Sequence, residues 1–348
     1  MTSNADIMFP ERPPTMDRRR FIVNSAAALT SLTAVEGAET SSPSAPAQPG
    51  RPVRISSVAF KPGLPLDQIA GLVDEQGAQG ADLIALPETC RGQNDQTPEP
   101  LDGPTISTLT RLAAKHNTYI VCGLDRLDGP RRLNTAVLID RRGHIAAAYD
   151  KIYPFTPELS QHPPIQPGQA VQVFSTDFGR VGLAICFDVN WAPLWERLSD
   201  HGAELVVWPS AYSAGRSLQA RAIDFNYYIV SSTWVPDCLA FDIDGEQLLH
   251  NHANRTNSNV TRLTLDLDRC LFHQDFNLPH KLAKLLDEHP NDVEREKWLP
   301  MEGWFILKAK RPGVSARALA RQYGLEERRP YLNRSRCDLD KARGWQFS

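Results

Sequence analysis

From Arg51 onward, apolar residues follow two alternating periods: short runs apolar at every or every second position, and longer runs with apolar residues three or four apart. The first kind predicts strands and the second predicts helices. "VRISSVAF" (53–60) reads as a strand, "LDQIAGLVDEQGAQG" (66–80) as an amphipathic helix closed by Gly80, and "ADLIALPE" (81–88) as a buried strand. Helix "ISTLTRLAAKHN" (106–117) then leads to strand "TYIVCGL" (118–124). The pattern changes next to hairpins. "NTAVLID" (134–140) turns through Arg141 to Gly143 into "HIAAAYDK" (144–151), and "VQVFSTD" (171–177) turns at Phe178 and Gly179 into "RVGLAIC" (180–186).

The alternation resumes with helix "APLWERLSDHG" (192–202), strand "AELVVWPS" (203–210), helix "SLQARAIDFN" (217–226) and strand "YYIVSSTW" (227–234). Strands "LAFDID" and "EQLLH", joined through Gly245, and then "NVTRLTLDL" (259–267) complete a sheet-rich body. Helix–strand alternation interleaved with hairpins implies an α/β fold of two mixed sheets packed face to face with helices outside. Residues 271–348 differ. They are charged, helical in places and punctuated by Pro290, Pro300 and Pro312, which reads as a C-terminal extension that packs on the domain or a partner subunit. Trp298, Trp304, Tyr323 and Tyr331 are its expected anchors on a neighbouring subunit.

Residues 1–50 read as an address rather than a fold. "MDRRRFIVNSAAALTSLTAV" places Arg18, Arg19 and Arg20 before Phe21 and a modest apolar segment, followed by a Ser/Pro/Ala-rich stretch to Gly50. This resembles a twin-arginine export signal, with Arg18 and Arg19 as the pair. Cleavage after Ala47 satisfies the small-x-small rule through Ala45 and Ala47, and Met16 is an alternative start to Met1. The expected destination is the bacterial periplasm, or the cytoplasm if the signal does not operate. A disordered basic leader is the competing reading.

With 348 residues, a formal net charge of −3 and no apolar stretch near the roughly 20 residues that span a bilayer, the chain offers no global reason to bind nucleic acid or to insert stably in a membrane. A small molecule is the expected partner. The six cysteines are scattered without C-x-x-C or zinc-type spacing, so free thiols and no metal or cofactor are expected.

Three strand ends each carry one side chain suited to chemistry. Glu88 closes "ADLIALPE", Lys151 closes "HIAAAYDK", and Cys186 closes "RVGLAIC". Singly these would be a solvated acid, a surface lysine and a packed thiol. Together they form a mechanism. A thiol with a reference pKa of about 8.5 needs a base or a cation to become a nucleophile. Glu88 can take its proton, and Lys151 favours both the thiolate and a developing oxyanion. The backbone N–H of Phe187 is the natural second oxyanion donor.

In that order, "LPE", "YDKIY" and "GLAICFD" resemble the Glu/Lys/Cys triad of the nitrilase superfamily of carbon-nitrogen hydrolases, over about Val53 to Cys270. The resemblance implies a four-layer αββα sandwich over 51–270, assembled as a homodimer or larger homo-oligomer. It makes Glu88 the base, Lys151 the electrostatic stabiliser and Cys186 the nucleophile of a thioester mechanism. It also implies a second glutamate between lysine and cysteine, for which Glu158 is the candidate. Asp188, Arg221 and Asn226 match supporting positions, and Trp208, Pro209, Ser210, Ala211 and Tyr212 are expected to line the substrate pocket. "VNWAPLWERL" departs from the Phe-Pro-Glu element of many relatives, and its Trp191 and Trp195 are expected either to bring bulk near the mouth or to serve as helix packing.

"CFD" rather than Cys-Trp-Glu points to an amide or N-carbamoyl substrate with ammonia release. A nitrilase acting on a nitrile and a non-catalytic binding protein are the alternatives. The tail segment "GVSARALARQYGLEERRPYLNRSR" superficially reads as a helix-turn-helix, but no compact third helix surrounds it and an exported protein meets no chromosome. The export reading is tested by fractionating cells that express the wild type or an Arg18→Lys, Arg19→Lys form. The wild type is expected in the periplasm and the variant in the cytoplasm; equal cytoplasmic retention of both would sink the signal.

Overall fold

The computed structural model describes residues 47–235, 237–252 and 258–344; the export segment with Arg18 and Arg19 lies outside them. Two six-stranded sheets form the body. The first holds β1 (Pro52–Phe60), β2 (Leu83–Ala85), β3 (Tyr119–Asp128), β4 (Arg131–Ile139), β5 (Ile145–Asp150) and β12 (Ser258–Asp266), in the order β12-β1-β2-β3-β4-β5. The second holds β6 (Val173–Ser175), β7 (Arg180–Leu183), β8 (Leu205–Ser210), β9 (Tyr228–Thr233), β10 (Asp237–Phe241) and β11 (Gln247–His252), in the order β11-β10-β9-β8-β7-β6.

Both sheets use one pairing scheme. β1, β2 and β3 run parallel, as do β7, β8 and β9. Each parallel trio has one antiparallel neighbour on one side and, on the other, an antiparallel neighbour followed by a strand that reverses direction again.

The period-2 alternation explains the layering. Leu83 and Ala85 of β2 face the core between the sheets, while Ile84 and Leu86 face the helices α1 (Leu66–Ala78) and α2 (Pro104–His116). On the other sheet, α3 (Ala192–Asp200) and α4 (Gly215–Phe225) bury Leu194, Trp195, Leu198, Leu218 and Ala222. The layers are therefore helix, sheet, sheet, helix. Hydroxyls tie the inner faces together, with Ser232 Oγ donating to Val58 O at 2.6 Å.

The strand expected over 81–88 is regular only to Ala85, because Pro87 has no N–H for the ladder. Leu86 N still bonds Val121 O at 2.8 Å, and the chain then leaves the plane. Gly123 of β3 is what it crosses: a Cβ there would lie 2.3 Å from Pro87 O and 2.6 Å from Glu88 Cα. Only glycine leaves room for this loop.

The tail differs from its sequence reading. Besides α5 (Pro279–Glu288), α6 (Ala316–Gln322) and α7 (Arg328–Arg343), it forms a third, antiparallel sheet of β13 (Cys270–His273), β14 (Val293–Leu299) and β15 (Trp304–Ala309), ordered β13-β15-β14. β14 reads as helix or loop because "VEREKWL" is mostly charged, and its charged residues are largely exposed on one edge strand.

Most of the proposed anchors serve this chain itself. Trp304 is buried in the core shared with the body, the Tyr331 ring stacks on Phe276 at 3.5 Å, and Tyr323 meets His289 edge-on; Trp298 stays 40% exposed. α7 lies on the outer helices, where Arg329 pairs with Asp200 at 3.0 Å and Arg328 donates to Asn226 Oδ1 at 2.7 Å. No helix among the described residues is long and apolar enough to cross a membrane.

Because Trp304 belongs to the tail yet completes the body's core, Trp304→Ala is expected to cost about 3–5 kcal/mol. Urea unfolding should show one transition with a lowered midpoint. Two transitions with the body's midpoint unmoved would show that the tail folds as a separate unit.

Candidate active site

Strand direction puts Glu88 and Lys151 at one edge. β5 is two antiparallel steps from β3, so it runs parallel to β2, and residues following β2 and β5 emerge on the same side. They start three strands apart, about 14 Å at the usual inter-strand spacing. The loop carrying Glu88 closes this gap by crossing β3 at Gly123. Lys151 N continues the β4–β5 ladder by donating to Asn134 O at 2.8 Å, which sets Asn134 beside the lysine.

At the meeting point, Lys151 Nζ donates to Glu88 Oε1 at 2.8 Å and to Glu158 Oε2 at 2.7 Å. Asn134 Nδ2 donates to both carboxylates as well, at 2.7 Å to Glu88 Oε1 and 2.8 Å to Glu158 Oε1. All four side chains are buried. Glu158 stands on a 3₁₀ turn (Thr156–Ser160) that it holds itself, accepting Phe155 N at 2.6 Å. Glu88 Oε1 thus has two donors, while Glu88 Oε2 is buried with none among the described residues. The Glu88 backbone is fixed separately, its carbonyl accepting from the Trp234 indole.

Cys186 opens a second 3₁₀ turn (Cys186–Asn190) directly beyond β7. Its φ of +44° lies in the left-handed region, a strained conformation for a residue with a side chain. Asp188 holds that turn from below: its carboxylate accepts Ile185 N at 2.9 Å, the Tyr149 hydroxyl at 2.7 Å and Tyr153 N at 2.9 Å. Burial raises Asp188 to about 6 against these bonds. Trp208 Nε1 donates to Cys186 O at 3.2 Å, and Arg221 of α4 donates to Val189 O at 3.1 and 3.2 Å. Asn226 closes α4 in the left-handed conformation.

The electrostatics separate the roles. Burial, then the Glu88 charge, push the Cys186 thiol up to about 12, against Lys151, the Ala211 N–H and the Ser210 hydroxyl, which favour the thiolate. Burial and the Glu88 charge both favour the protonated sulfur, so forming the nucleophile calls for a base. Burial alone would lower Lys151, but the charges around it, Glu88 foremost, hold it above its ordinary value. Burial likewise opposes ionisation of Glu158, and Lys151 outweighs it, leaving Glu158 below the ordinary carboxylate range.

These groups open on a cavity of about 450 Å³ walled by Phe155, Phe187, Tyr212 and Trp234. Several expected lining residues lie elsewhere. Trp208 and Ser210 are fully buried behind the cysteine, and Trp195 is core, donating Nε1 to Asp188 O at 2.9 Å. Trp191 stacks flat on Tyr153 at 4.3 Å and meets Phe187 edge-on, which braces the cavity wall from outside. Ala211 and Tyr212 do line the cavity.

Sequence reasoning missed Asn134, Gln93, Gln161 and Trp234. Asn134 had a signal: in the hairpin turning at 141–143, residue 134 falls opposite 151, so a polar residue faces the lysine inside a buried strand. The glutamines sit in irregular loops with no such register. No metal site competes with this centre among the described residues. The acidic group Asp242, Asp244 and Glu246 is already occupied by the Lys297 ammonium, 3.0 Å from both Asp242 and Asp244.

A sequence profile described as carbon-nitrogen hydrolase matches residues 53–270. The nitrilase and fragile histidine triad fusion protein of Drosophila melanogaster is 31% identical over 190 residues, 49% of this chain but only 41% of that one. The omega-amidase of Mus musculus is 25% identical over 187 residues, 48% of this chain and 68% of its own. Among solved structures, an amidase of the nitrilase superfamily from Nesterenkonia AN1 superposes with a TM-score of 0.55 at 20% identity, covering 63% of this chain and 92% of that one. Nit3 of Saccharomyces cerevisiae gives 0.54 at 15% identity, covering 71% and 97%. With these strands, this order of side chains and this profile match over more than half its length, the chain belongs to the carbon-nitrogen hydrolase family.

Proposed function

We propose that this enzyme hydrolyses the carbon-nitrogen bond of a small amide or N-carbamoyl compound, releasing ammonia through a Cys186 thioester. The observation that carries it is Glu88 Oε2, buried without a donor among the described residues, in the same cavity lining as Cys186, with Glu88 Oε1 fixed by Lys151 and Asn134. Glu88 takes the Sγ proton as Cys186 attacks the amide carbonyl. Lys151 and the Phe187 N–H, in the first turn after the nucleophile, stabilise the oxyanion. Glu88 returns the proton to the leaving nitrogen, the C–N bond breaks, and ammonia departs from the thioester. Glu88 then deprotonates a water that attacks the thioester, and the proton passes to sulfur as the acid leaves.

The "CFD" sequence and the names of the relatives, an omega-amidase and an amidase, support an amide over a nitrile. We place the activity in the periplasm on the strength of the Arg18–Arg19 signal, and expect a homo-oligomer as the family resemblance implies.

Ammonia release from a panel of amides, N-carbamoyl amino acids and nitriles is expected to fall at least about a thousandfold in Cys186→Ala, Glu88→Gln and Lys151→Met alike. Retained turnover in Cys186→Ala would refute the mechanism. Thiolate absorbance, read against the Cys186→Ala background, separates the roles of the charges. Removing the Glu88 charge should lower the thiol's titration midpoint, and removing the Lys151 charge should raise it. A midpoint that rises in Glu88→Gln would contradict the arrangement.

A further inference from the structure

The ion cluster around Lys151 contains a neutral member whose chemistry is unexplained by packing. Asn134 Nδ2 carries two hydrogens and directs them at the two carboxylates, at 2.7 Å to Glu88 Oε1 and 2.8 Å to Glu158 Oε1. These neighbours settle its orientation, since the amide turned over would set an oxygen against both acids. The same orientation leaves Asn134 Oδ1 buried with no donor among the described residues. An apolar side chain of similar volume would fill the place without the cost of an unmet acceptor.

The two acids depend on Asn134 unequally. Glu158 also accepts from Lys151 Nζ, Gln93 Nε2 and Phe155 N, so Asn134 is one donor of four. Glu88 accepts side-chain bonds only from Lys151 and Asn134 among the described residues, and both meet Oε1. Two donors converging on one oxygen hold the carboxyl in one of its two equivalent orientations and keep Oε2 out of the ion pair. With Lys151 alone, either oxygen can take the ammonium.

Resting on the hydrolase reading, we infer that Asn134 is a positioning residue for the base: it holds Glu88 charged and locks Oε1, so that Oε2 alone is offered to the proton. Asn134 is 1% exposed and does not line the cavity, so it acts on turnover through Glu88 and not on substrate binding. Besides Asn134, the charged and titratable groups around Glu88 are Lys151 and Glu158 on its own side and Cys186 and Tyr212 from the opposite sheet. A neutral substitution at 134 removes none of these charges, so a changed pH dependence reports the lost hydrogen bond.

The test measures ammonia release across pH for Asn134→Leu, close in volume but without a donor, and Asn134→Ala, which cannot overfill the site; near-ultraviolet circular dichroism checks that each is folded. At neutral pH kcat is expected to fall at least about tenfold in both, as for loss of a hydrogen bond to a charged group, with KM within about threefold of wild type. The acid limb of kcat/KM should move up by at least about half a pH unit, because a carboxylate that loses a donor to its charged form takes up a proton more readily. Part of the loss is then recovered as pH rises. A folded variant with wild-type kcat, a loss equal at every pH, or a loss confined to KM overturns this inference and leaves the hydrolase reading standing. Failure of both variants to fold marks Asn134 as structural and overturns it as well. Ammonia from no amide with the wild type overturns the hydrolase reading and this inference with it.

Discussion

Lys151 is 1% exposed and bears two carboxylates at 2.7 and 2.8 Å, and the rest of the site is arranged around that fact. Removing an ammonium and two carboxylates from water carries a desolvation penalty of several kcal/mol per ion, which good geometry and further hydrogen bonds must offset. The further bonds are present: Asn134 donates to both acids, Gln93 and Phe155 N to Glu158. One oxygen is left out. Glu88 Oε2 has no donor among the described residues, and a buried carboxylate oxygen left free in this way is positioned to accept a proton.

The fold supplies this geometry through strand ends. β2, β5 and β7 deliver one group each, but pairing order alone would hold Glu88 and Lys151 apart by the width of β3 and β4. Gly123 removes the obstacle on β3, and Asn134 fills the space on β4 with a donor that both acids need. On the opposite sheet the nucleophile is held under strain. Its left-handed backbone is fixed from three directions, by Asp188 beneath, Trp208 on its carbonyl and Arg221 on the turn that follows. Strain of this kind persists only where the surroundings over-determine it.

Much of this was legible in the sequence where a periodic signal existed. The body strands and helices follow from alternation, because residues such as Leu83 to Leu86 point in turn to two different apolar layers. The third sheet was hidden because β14 is a charged edge strand, and β13 is only four residues long. Glu158 carried no local signal and emerged only through family resemblance, since its burial depends on a lysine seven positions earlier turning inward. The tryptophans misled for the opposite reason. Trp195 and Trp208 are near the cysteine in sequence, but their indole N–H groups bond backbone carbonyls around the nucleophile turn, so they brace the site from behind.

The same charges that activate the thiol also reach outward. An ionised Glu158 orients Gln93, and Gln93 orients Gln161, so the orientation of two carboxamides follows from the need to keep Lys151 charged. A change at Glu158 that neutralised it would free Gln93 to rotate, and Gln161 would lose the reason for its orientation. In this molecule the catalytic ion cluster fixes the carboxamides packed beside it, in a cavity whose larger lining side chains are aromatic.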